Sequence, residues 1–175
     1  MKKLLVVVDY QNDSVCGSMG FAKAVSLETP IYNKIRKYQK DNQDVLFTLD
    51  THYDDSYETK EIMCDTQKYQ NGWELYGKVK ELKNEKSICI SKHTCGSLDL
   101  LEFLLRQQYD EVEFVGIVTN MCVLVNAVLA RTALPDSAIS IDAECVASQE
   151  EELHGKALDI LAKLQIKINN REKEH

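Results

Sequence analysis

The sequence lacks any C-x-x-C pair, although it contains six cysteines. They lie at positions 16, 64, 89, 95, 122 and 145. Without that spacing, a zinc ribbon or a thioredoxin-type redox motif is excluded. A disulfide framework is not expected either, because no secretory signal is recognised: only five apolar residues separate Lys3 from Asp9. We therefore predict a reduced protein with a cytoplasmic location.

Long apolar runs and basic clusters are also missing. No apolar run approaches the roughly 20 residues that a membrane span requires, so no membrane association is predicted. The net charge is −7 and the Lys and Arg residues are not clustered, which argues against a nucleic-acid partner. No repeat, low-complexity segment or linker is visible, and the length suits one core. Residues 1–175 are therefore predicted to form a single domain.

What the sequence does contain is a regular alternation of short apolar runs and segments with helical periodicity. The run 3–8 is typical of a buried parallel strand. The predicted strands are 3–8, 44–49, 86–90, 111–117, 138–141 and 165–168. The predicted helices are 28–39, 73–82, 98–107, one that starts at 122, and 150–164. This alternation predicts an α/β fold in three layers, with a six-stranded parallel sheet and helices on both faces.

Chemically reactive side chains lie at the ends of four predicted strands. They are Asp9, Asp50, Lys92 and Cys122. Because binding crevices in parallel sheets lie beyond the carboxyl ends of the strands, we expect these side chains at one rim. Each alone has an ordinary alternative, since such a carboxylate often caps a helix, a lysine is usually solvated and a free cysteine usually packs in the core. Their joint placement favours a functional site.

Cys122 is the residue best placed to act as a nucleophile. Alternating apolar residues predict a strand up to Gly116, a polar corner follows, and the run 123–130 without Pro or Gly predicts a helix. Cys122 would then lie in the first helical turn. There, unpaired backbone N–H groups and the helix dipole favour a thiolate and can hold an oxyanion.

Four pieces of sequence, taken together and in this order, form a specific pattern. They are VVDYQND at 7–13, Asp50–His52, Lys92, and GIVTNMCV at 116–123. The pattern resembles the isochorismatase-like cysteine hydrolases, the superfamily that includes nicotinamidases, and the resemblance covers nearly the whole chain. It implies a six-stranded parallel sheet with the nucleophile after the fourth strand. It also implies a homo-oligomer and no organic cofactor.

The resemblance also implies a role for individual residues. Cys122 matches the nucleophile of the superfamily, Asp9 its general base and Lys92 its third catalytic member. A cis peptide bond would join Ile117 to Val118, and the backbone N–H groups of Val118 and Cys122 would form the oxyanion hole. The sulfur would attack an amide carbon, an amine would leave, and water would hydrolyse the resulting thioester.

Asp50 and His52 resemble the first two metal ligands of nicotinamidases. The position of a further histidine in that group holds Asp65 here, and Glu58 or Glu61 could add an oxygen. Carboxylate and imidazole donors suit one divalent metal ion, zinc foremost. The alternative is that the two side chains only form hydrogen bonds in their loop and bind no metal.

The predicted substrate pocket departs from that of nicotinamidases. Ser14 stands where those enzymes usually carry a Phe against the pyridine ring, so stacking on a flat substrate would be weaker. Trp73, Tyr10 or Tyr53 could compensate. Cys95 is either a second reactive thiol near the rim or a packing residue.

These features predict a cysteine hydrolase that cleaves a small amide, nicotinamide foremost. A metal-free amidohydrolase of carbamoyl or ureido compounds is one alternative, although such relatives lack the Asp-x-His pair. Vinyl-ether hydrolysis is disfavoured because true isochorismatases lack the cysteine at 122. A non-catalytic, metabolite-binding scaffold is the remaining alternative, but it predicts the loss of a catalytic member, and Asp9, Lys92 and Cys122 are all present.

Overall fold

A computed structural model describes residues 1–51 and 71–171. Its strands are β1 (Lys3–Val8), β2 (Asp44–Asp50), β3 (Ile88–Lys92), β4 (Glu111–Ile117), β5 (Ala138–Ala147) and β6 (Lys167–Asn169). Its α-helices are α1 (Asn12–Cys16), α2 (Ala22–Ser26), α3 (Glu28–Lys40), α4 (Leu98–Gln107), α5 (Leu124–Ala133) and α6 (Glu151–Lys163). Two 3-10 helices span Asn71–Trp73 and Gly77–Leu82, and a π-helical turn spans Thr119–Val123.

The strands form one six-stranded sheet in the order β3-β2-β1-β4-β5-β6, and all of its strand pairs are parallel. Side chains of β1 alternate between two cores: Leu4, Val6 and Val8 face α4, α5 and α6. Leu5 and Val7 face α3 and the 3-10 helix Gly77–Leu82. The predicted three-layer α/β fold with helices on both faces is confirmed.

The direction of the chain across the sheet reverses beside β1. From β1 the chain moves outward through β2 to β3, and it then returns to β4 on the other side of β1. Helices at such a reversal cover opposite faces of the sheet, and in folds of this kind ligands bind there, beyond the carboxyl ends of the strands. Asp9 follows β1, and the turn that carries Cys122 follows β4.

Several predicted boundaries differ from the observed ones. The predicted helix 73–82 is two short 3-10 helices, and the short helices α1 and α2 were not predicted. The fifth strand continues to Ala147 because it rejoins β4 after an irregularity, with Gly116 opposite Val146. The charged residues Asp142 and Glu144 interrupt its apolar pattern, which hid this continuation from the sequence.

Cys122 does not lie in the first turn of an α-helix, and that prediction is wrong. It lies inside the π-helical turn, and α5 begins two residues later at Leu124. The carbonyl of Val118 accepts hydrogen bonds from the N–H groups of both Met121 and Val123, which widens the turn. In the described part of the chain, no helix is long and apolar enough to cross a membrane.

Candidate active site

Asp9, Lys92 and Cys122 lie together at the carboxyl edge of the sheet. The ammonium nitrogen of Lys92 is 2.7 Å from Asp9 Oδ2 and 3.5 Å from Cys122 Sγ. It also donates a hydrogen bond to Asp50 Oδ1, at 3.0 Å. The structure therefore brings together the four side chains that the strand ends placed at one rim.

Asp9 is held by the neighbouring strand β2. Its backbone is in the left-handed region, with a φ of 47°, a conformation that Asp tolerates better than most residues do. Its N–H group donates to the carbonyl of Thr48, and the Thr48 hydroxyl donates to Asp9 Oδ1 at 2.7 Å. Among the described residues, Asp9 Oδ2 accepts no hydrogen bond of regular geometry, so it is left to face Lys92 in the ion pair.

Lys92 is a buried cation at the end of the edge strand β3, with 1% of its side chain exposed. Its nitrogen also donates to the carbonyl of Thr94 at 3.0 Å, which fixes it from a second side. Burial lowers the pKa of Lys92, but the charges of Asp9, Cys122 and Asp50 raise it by more, so the pKa lies above its ordinary value. Lys92 is therefore a fixed positive charge rather than a proton carrier.

The surroundings of Cys122 favour its neutral thiol form. A hydrogen bond with Cys95, burial and the charge of Asp9 raise its pKa well above its ordinary value, and the charge of Lys92 only partly offsets them. The sequence predicted that the helix start favours a thiolate. Lys92 does lower the pKa of Cys122, but the other groups outweigh it, so the thiolate is not favoured at rest. Burial also raises the pKa of Asp9 despite its ion pair with Lys92, which makes that carboxylate a stronger base.

The turn that carries Cys122 begins with a close approach between β4 and β1. Gly116 has a φ of 112°, and a Cβ atom there would lie 2.1 Å from the carbonyl oxygen of Val8. Only glycine fits this position. The next peptide bond, Ile117–Val118, is cis, as the resemblance implied. The backbones of Val118 and Cys122, which the sequence suggested as oxyanion donors, both belong to this turn.

This arrangement agrees with a family comparison. The family model described as the isochorismatase domain matches residues 3–172. The chain belongs to the isochorismatase family. It is 30% identical over 180 residues to the isochorismatase family protein PncA of Bacillus subtilis (strain 168), covering 93% of this chain and 95% of that relative. The predicted superfamily is confirmed.

Solved structures have the same fold as this isochorismatase family member. The crystal structure of nicotinamidase PncA from Bacillus subtilis matches with a TM-score of 0.87 and 26% identity, covering 97% of this chain and 100% of that chain. Pyrazinamidase of Pyrococcus horikoshii in complex with zinc matches with a TM-score of 0.85 and 20% identity, covering 96% and 98%. At that identity, the second likeness shows the fold alone.

In this isochorismatase family member, residues outside the predicted site form hydrogen bonds with the turn that carries Cys122. His154 on α6 and the Thr119 hydroxyl are hydrogen-bonded at 3.0 Å through His154 Nδ1. The Ser148 hydroxyl donates to Asn120 Oδ1 at 2.7 Å and accepts from the Asn120 N–H group at 3.4 Å. The sequence carries no local signal for these two pairs, because both partners come from elements distant along the chain.

Asn126 is a further residue whose structural role was not predicted from the sequence. It is fully buried on α5, and its side-chain N–H₂ group donates to the carbonyls of Cys122 and Cys95, both at 2.8 Å. Its side-chain oxygen accepts from the N–H group of Ser97 at 3.0 Å. The sequence did offer one clue to this role, because Asn126 is the only polar residue in the apolar run 123–130.

Gln11 positions Asp50. Its side chain accepts a hydrogen bond from the Asp50 N–H group at 2.8 Å and donates to the Asp50 carbonyl at 3.0 Å. It also donates to the carbonyl of Trp73 at 2.8 Å. Because Gln11 is fully buried, the amide fixes the end of β2 beside the site.

The predicted metal set is described only at Asp50, whose side chain is 15% exposed. The other predicted or alternative ligands, His52, Asp65, Glu58 and Glu61, lie outside the described residues. Within residues 1–51 and 71–171, no three His, Cys, Asp or Glu side chains are grouped so as to hold a metal ion. A carboxylate at this strand end is a suitable donor for zinc, and the other ligands that the sequence suggested follow it in the chain.

The aromatic residues proposed for the pocket wall have different positions. Tyr10 belongs to the core: it is fully buried, its hydroxyl donates to the carbonyl of Ala24, and its ring packs edge-on against Tyr76. Trp73 is partly exposed, and its indole N–H group donates to the Thr51 hydroxyl at 2.8 Å, beside Asp50. Ser14 is 8% exposed. Tyr53 lies outside the described residues.

Proposed function

We propose that this isochorismatase family member is a cysteine hydrolase that cleaves a small carboxamide, with nicotinamide as the first candidate. The main support for this proposal is that one buried ammonium group, on Lys92, contacts both the Asp9 carboxylate and the Cys122 sulfur. The broader prediction, an enzyme that hydrolyses C–N bonds other than peptide bonds, is confirmed by the nicotinamidase that shares its family and fold.

In the proposed first step, Asp9 takes the Cys122 proton while the sulfur attacks the amide carbon. A resting thiol suits this order, because the raised pKa of Cys122 keeps its proton in place until the substrate arrives. The raised pKa of Asp9 makes the proton transfer less unfavourable. Lys92 remains cationic throughout and balances the negative charge that moves from Asp9 to the sulfur and the substrate.

In the second step, the tetrahedral oxyanion accepts hydrogen bonds from the backbone N–H groups of Val118 and Cys122. One such donor is typically worth about 2.7–4 kcal/mol of transition-state stabilisation. The C–N bond breaks, Asp9 returns its proton to the leaving nitrogen, and ammonia departs. Asp9 then takes a proton from water, which attacks the thioester, releases the carboxylic acid and restores the Cys122 thiol.

We further propose that Asp50, His52 and Asp65 hold one divalent metal ion, with zinc as the first candidate. An ion held there would act as a Lewis acid that orients a nitrogen-bearing substrate beside the thiol. Metal analysis of purified protein tests this: we expect about one zinc per chain and a loss of zinc in Asp50→Ala. Fully active protein without metal would end the metal proposal.

Ammonia release from a panel of small amides tests the main proposal. The panel includes nicotinamide, simple aliphatic amides and carbamoyl compounds, and it compares wild type with Cys122→Ala. Cys89→Ala is the matched control, because Cys89 is an exposed cysteine on β3. We expect Cys122→Ala alone to abolish ammonia release.

Each other outcome of that panel has a definite meaning. Turnover of carbamoyl or ureido compounds alone would favour the metal-free amidohydrolase, and no turnover of any amide would favour a non-catalytic scaffold. Ammonia release that survives Cys122→Ala would refute the cysteine mechanism. The homo-oligomer, the cytoplasmic location and the absence of nucleic-acid, membrane and organic-cofactor partners remain predictions from the sequence.

A further inference from the structure

Cys95 is a second thiol at the site, and the proposed reaction does not use it. Its side chain is hydrogen-bonded to the side chain of Cys122. Both cysteines are partly exposed, whereas Cys145 is buried in the core beneath the sheet. The two partly exposed cysteines therefore interact through their side chains, although nothing in the local sequence of a chain with no C-x-x-C pair requires them to meet.

The backbones of the two cysteines are also held close together. The side-chain N–H₂ group of Asn126 donates to the carbonyl oxygens of both Cys95 and Cys122, at 2.8 Å each. The two peptide oxygens therefore lie within two hydrogen-bond lengths of each other. A disulfide requires Cα atoms about 4.4–6.8 Å apart, which is compatible with one amide group bridging the two peptides.

The loop that carries Cys95 packs directly on α5. A Cβ atom at Gly96 would lie 2.7 Å from Val125 Cγ1 and 3.2 Å from Leu129 Cδ1. The absence of a side chain at Gly96 thus allows this close approach. Together with the Asn126 bridge, it holds the loop after β3 against the helix that follows the Cys122 turn.

We propose that Cys95 and Cys122 form a reversible disulfide when the protein meets a hydroperoxide, and that this bond switches the hydrolase off. The disulfide itself depends only on the contact between the two thiols. Its effect on activity rests on the proposed function, because Cys122 can be inactivated by pairing only if it is the nucleophile. Cys95 would then be a modification site rather than a catalytic residue.

The chemistry requires one hydroperoxide for each disulfide. The Cys122 sulfur, relieved of its proton by Asp9, attacks one peroxide oxygen. The O–O bond breaks, and with hydrogen peroxide the products are a sulfenic acid on Cys122 and water. The Cys95 sulfur then attacks the Cys122 sulfur, an S–S bond forms, and the S–O bond breaks to release a second water. The two thiols supply the two electrons that reduce the peroxide.

A neighbouring thiol also protects the nucleophile. A sulfenic acid that meets no thiol can be oxidised further to sulfinic and sulfonic acids, which thiol reductants do not reverse. Cys95 is in contact with Cys122 before oxidation begins, so the disulfide competes well with further oxidation. Cys145 is not expected to react, because its side chain is buried in the core beneath the sheet and a peroxide cannot reach it.

Peptide mapping of the purified protein after hydrogen peroxide treatment and alkylation of free thiols tests the proposal. We expect wild type to lose two hydrogen atoms in mass, to yield a cross-linked peptide pair containing Cys95 and Cys122, and to recover both thiols with dithiothreitol. Cys89→Ser should behave in the same way, since Cys89 is exposed but lies outside the site. In Cys95→Ser, Cys122 should instead gain oxygen atoms that dithiothreitol does not fully remove.

The outcomes separate this proposal from the proposed function. Oxidation of wild-type Cys122 to sulfinic acid without a cross-link, or pairing of Cys122 with Cys64 or Cys16 instead, would overturn the disulfide. A Cys95–Cys122 cross-link in a protein that releases no ammonia would keep the disulfide and reject the hydrolase. If both proposals hold, amide hydrolysis falls in proportion to the cross-linked fraction and returns with dithiothreitol.

Discussion

Lys92 balances two carboxylates at once, those of buried Asp9 and half-buried Asp50. The sequence placed Lys92 near a strand end, but a lysine in that position is usually solvated. Its burial follows from the parallel register, which pairs Asp50 with Lys92 across β2 and β3. The sequence could place Lys92 at the rim, but only the assembled strands show that it is buried and paired with two carboxylates.

We predict that Lys92→Met lowers the free energy of unfolding by about 3–5 kcal/mol, because it leaves the buried carboxylate of Asp9 without a counter-charge. Urea denaturation followed by circular dichroism measures this change. Lys80→Met is the matched control, since its ion pair with Glu74 is exposed on both sides, and such pairs contribute about 0–1 kcal/mol. Equal losses in the two variants would contradict a buried role for Lys92.

Thr48 tunes Asp9 through one hydrogen bond. Its hydroxyl donates to Asp9 Oδ1, and this bond lowers the pKa of that carboxyl while burial raises it. Nothing in the sequence singled out Thr48, because a lone threonine in an apolar strand is ordinary. Its importance depends on the register that pairs Thr48 with Val8, the residue before Asp9.

Wild-type kcat/KM for amide hydrolysis should fall as the pH drops through the raised pKa of Asp9, because the base must be deprotonated. Thr48→Val removes a hydrogen bond to the carboxylate, so this acid limb should move to higher pH by about 0.5–1 unit. A pH–rate profile measures the shift. An unmoved acid limb in Thr48→Val, or one that moves to lower pH, would show that Asp9 is not the titrating base.

The strand β4 passes very close to the end of β1. Gly116 lies opposite Val8, and its positive φ turns the chain toward the Cys122 turn. The sequence predicted a strand that ends near this glycine, but it did not show that a neighbouring backbone occupies the space of the missing side chain. That constraint comes from strand pairing over a long sequence separation.

We predict that Gly116→Ala destabilises the fold by about 1–3 kcal/mol or more, through the unfavourable φ and the contact with the Val8 carbonyl. Gly155→Ala is the paired control, because no atom lies within 4 Å of a Cβ atom at that position on α6. It should stabilise the helix by about 0.5–1 kcal/mol. Urea denaturation measures the change in the free energy of unfolding of each variant, which should be a loss for Gly116→Ala and a gain for Gly155→Ala. A Gly116→Ala variant as stable as wild type would contradict the close approach.

At the scale of the whole molecule, residues 1–51 and 71–171 form two cores that share one sheet. Each core takes alternate side chains of the same strands, so neither can form without the sheet between them. The proposal that residues 1–175 form a single domain therefore has a physical consequence. Loss of either core should expose the sheet and unfold the other core.

Unfolding should accordingly be one cooperative transition. Fluorescence of Trp73, the single tryptophan, reports on the core that faces α3, and far-ultraviolet circular dichroism reports on all elements. We expect the two probes to give the same midpoint in urea, because both cores depend on the same strands. Two separated midpoints would indicate two independently folding units.

Local sequence was sufficient to determine the layers of this protein. Apolar runs and helical periodicity are properties of neighbouring residues, so the six strands, the helices on both faces and the residues at the strand ends could be predicted. Boundaries failed where charged side chains interrupt a strand, as in β5, and where a backbone carbonyl widens a turn, as Val118 does before Cys122.

Only the tertiary structure decided the protonation of the site and the partners of its thiol. The raised pKa of Cys122 depends on a hydrogen bond with Cys95, on burial and on the charge of Asp9, and the two residues approach it from other strand ends. The braces from His154, Ser148 and Asn126 likewise join segments that are distant in sequence or hidden in an apolar run. Electrostatic energies and hydrogen bonds depend on distances in space, and a linear pattern does not contain those distances.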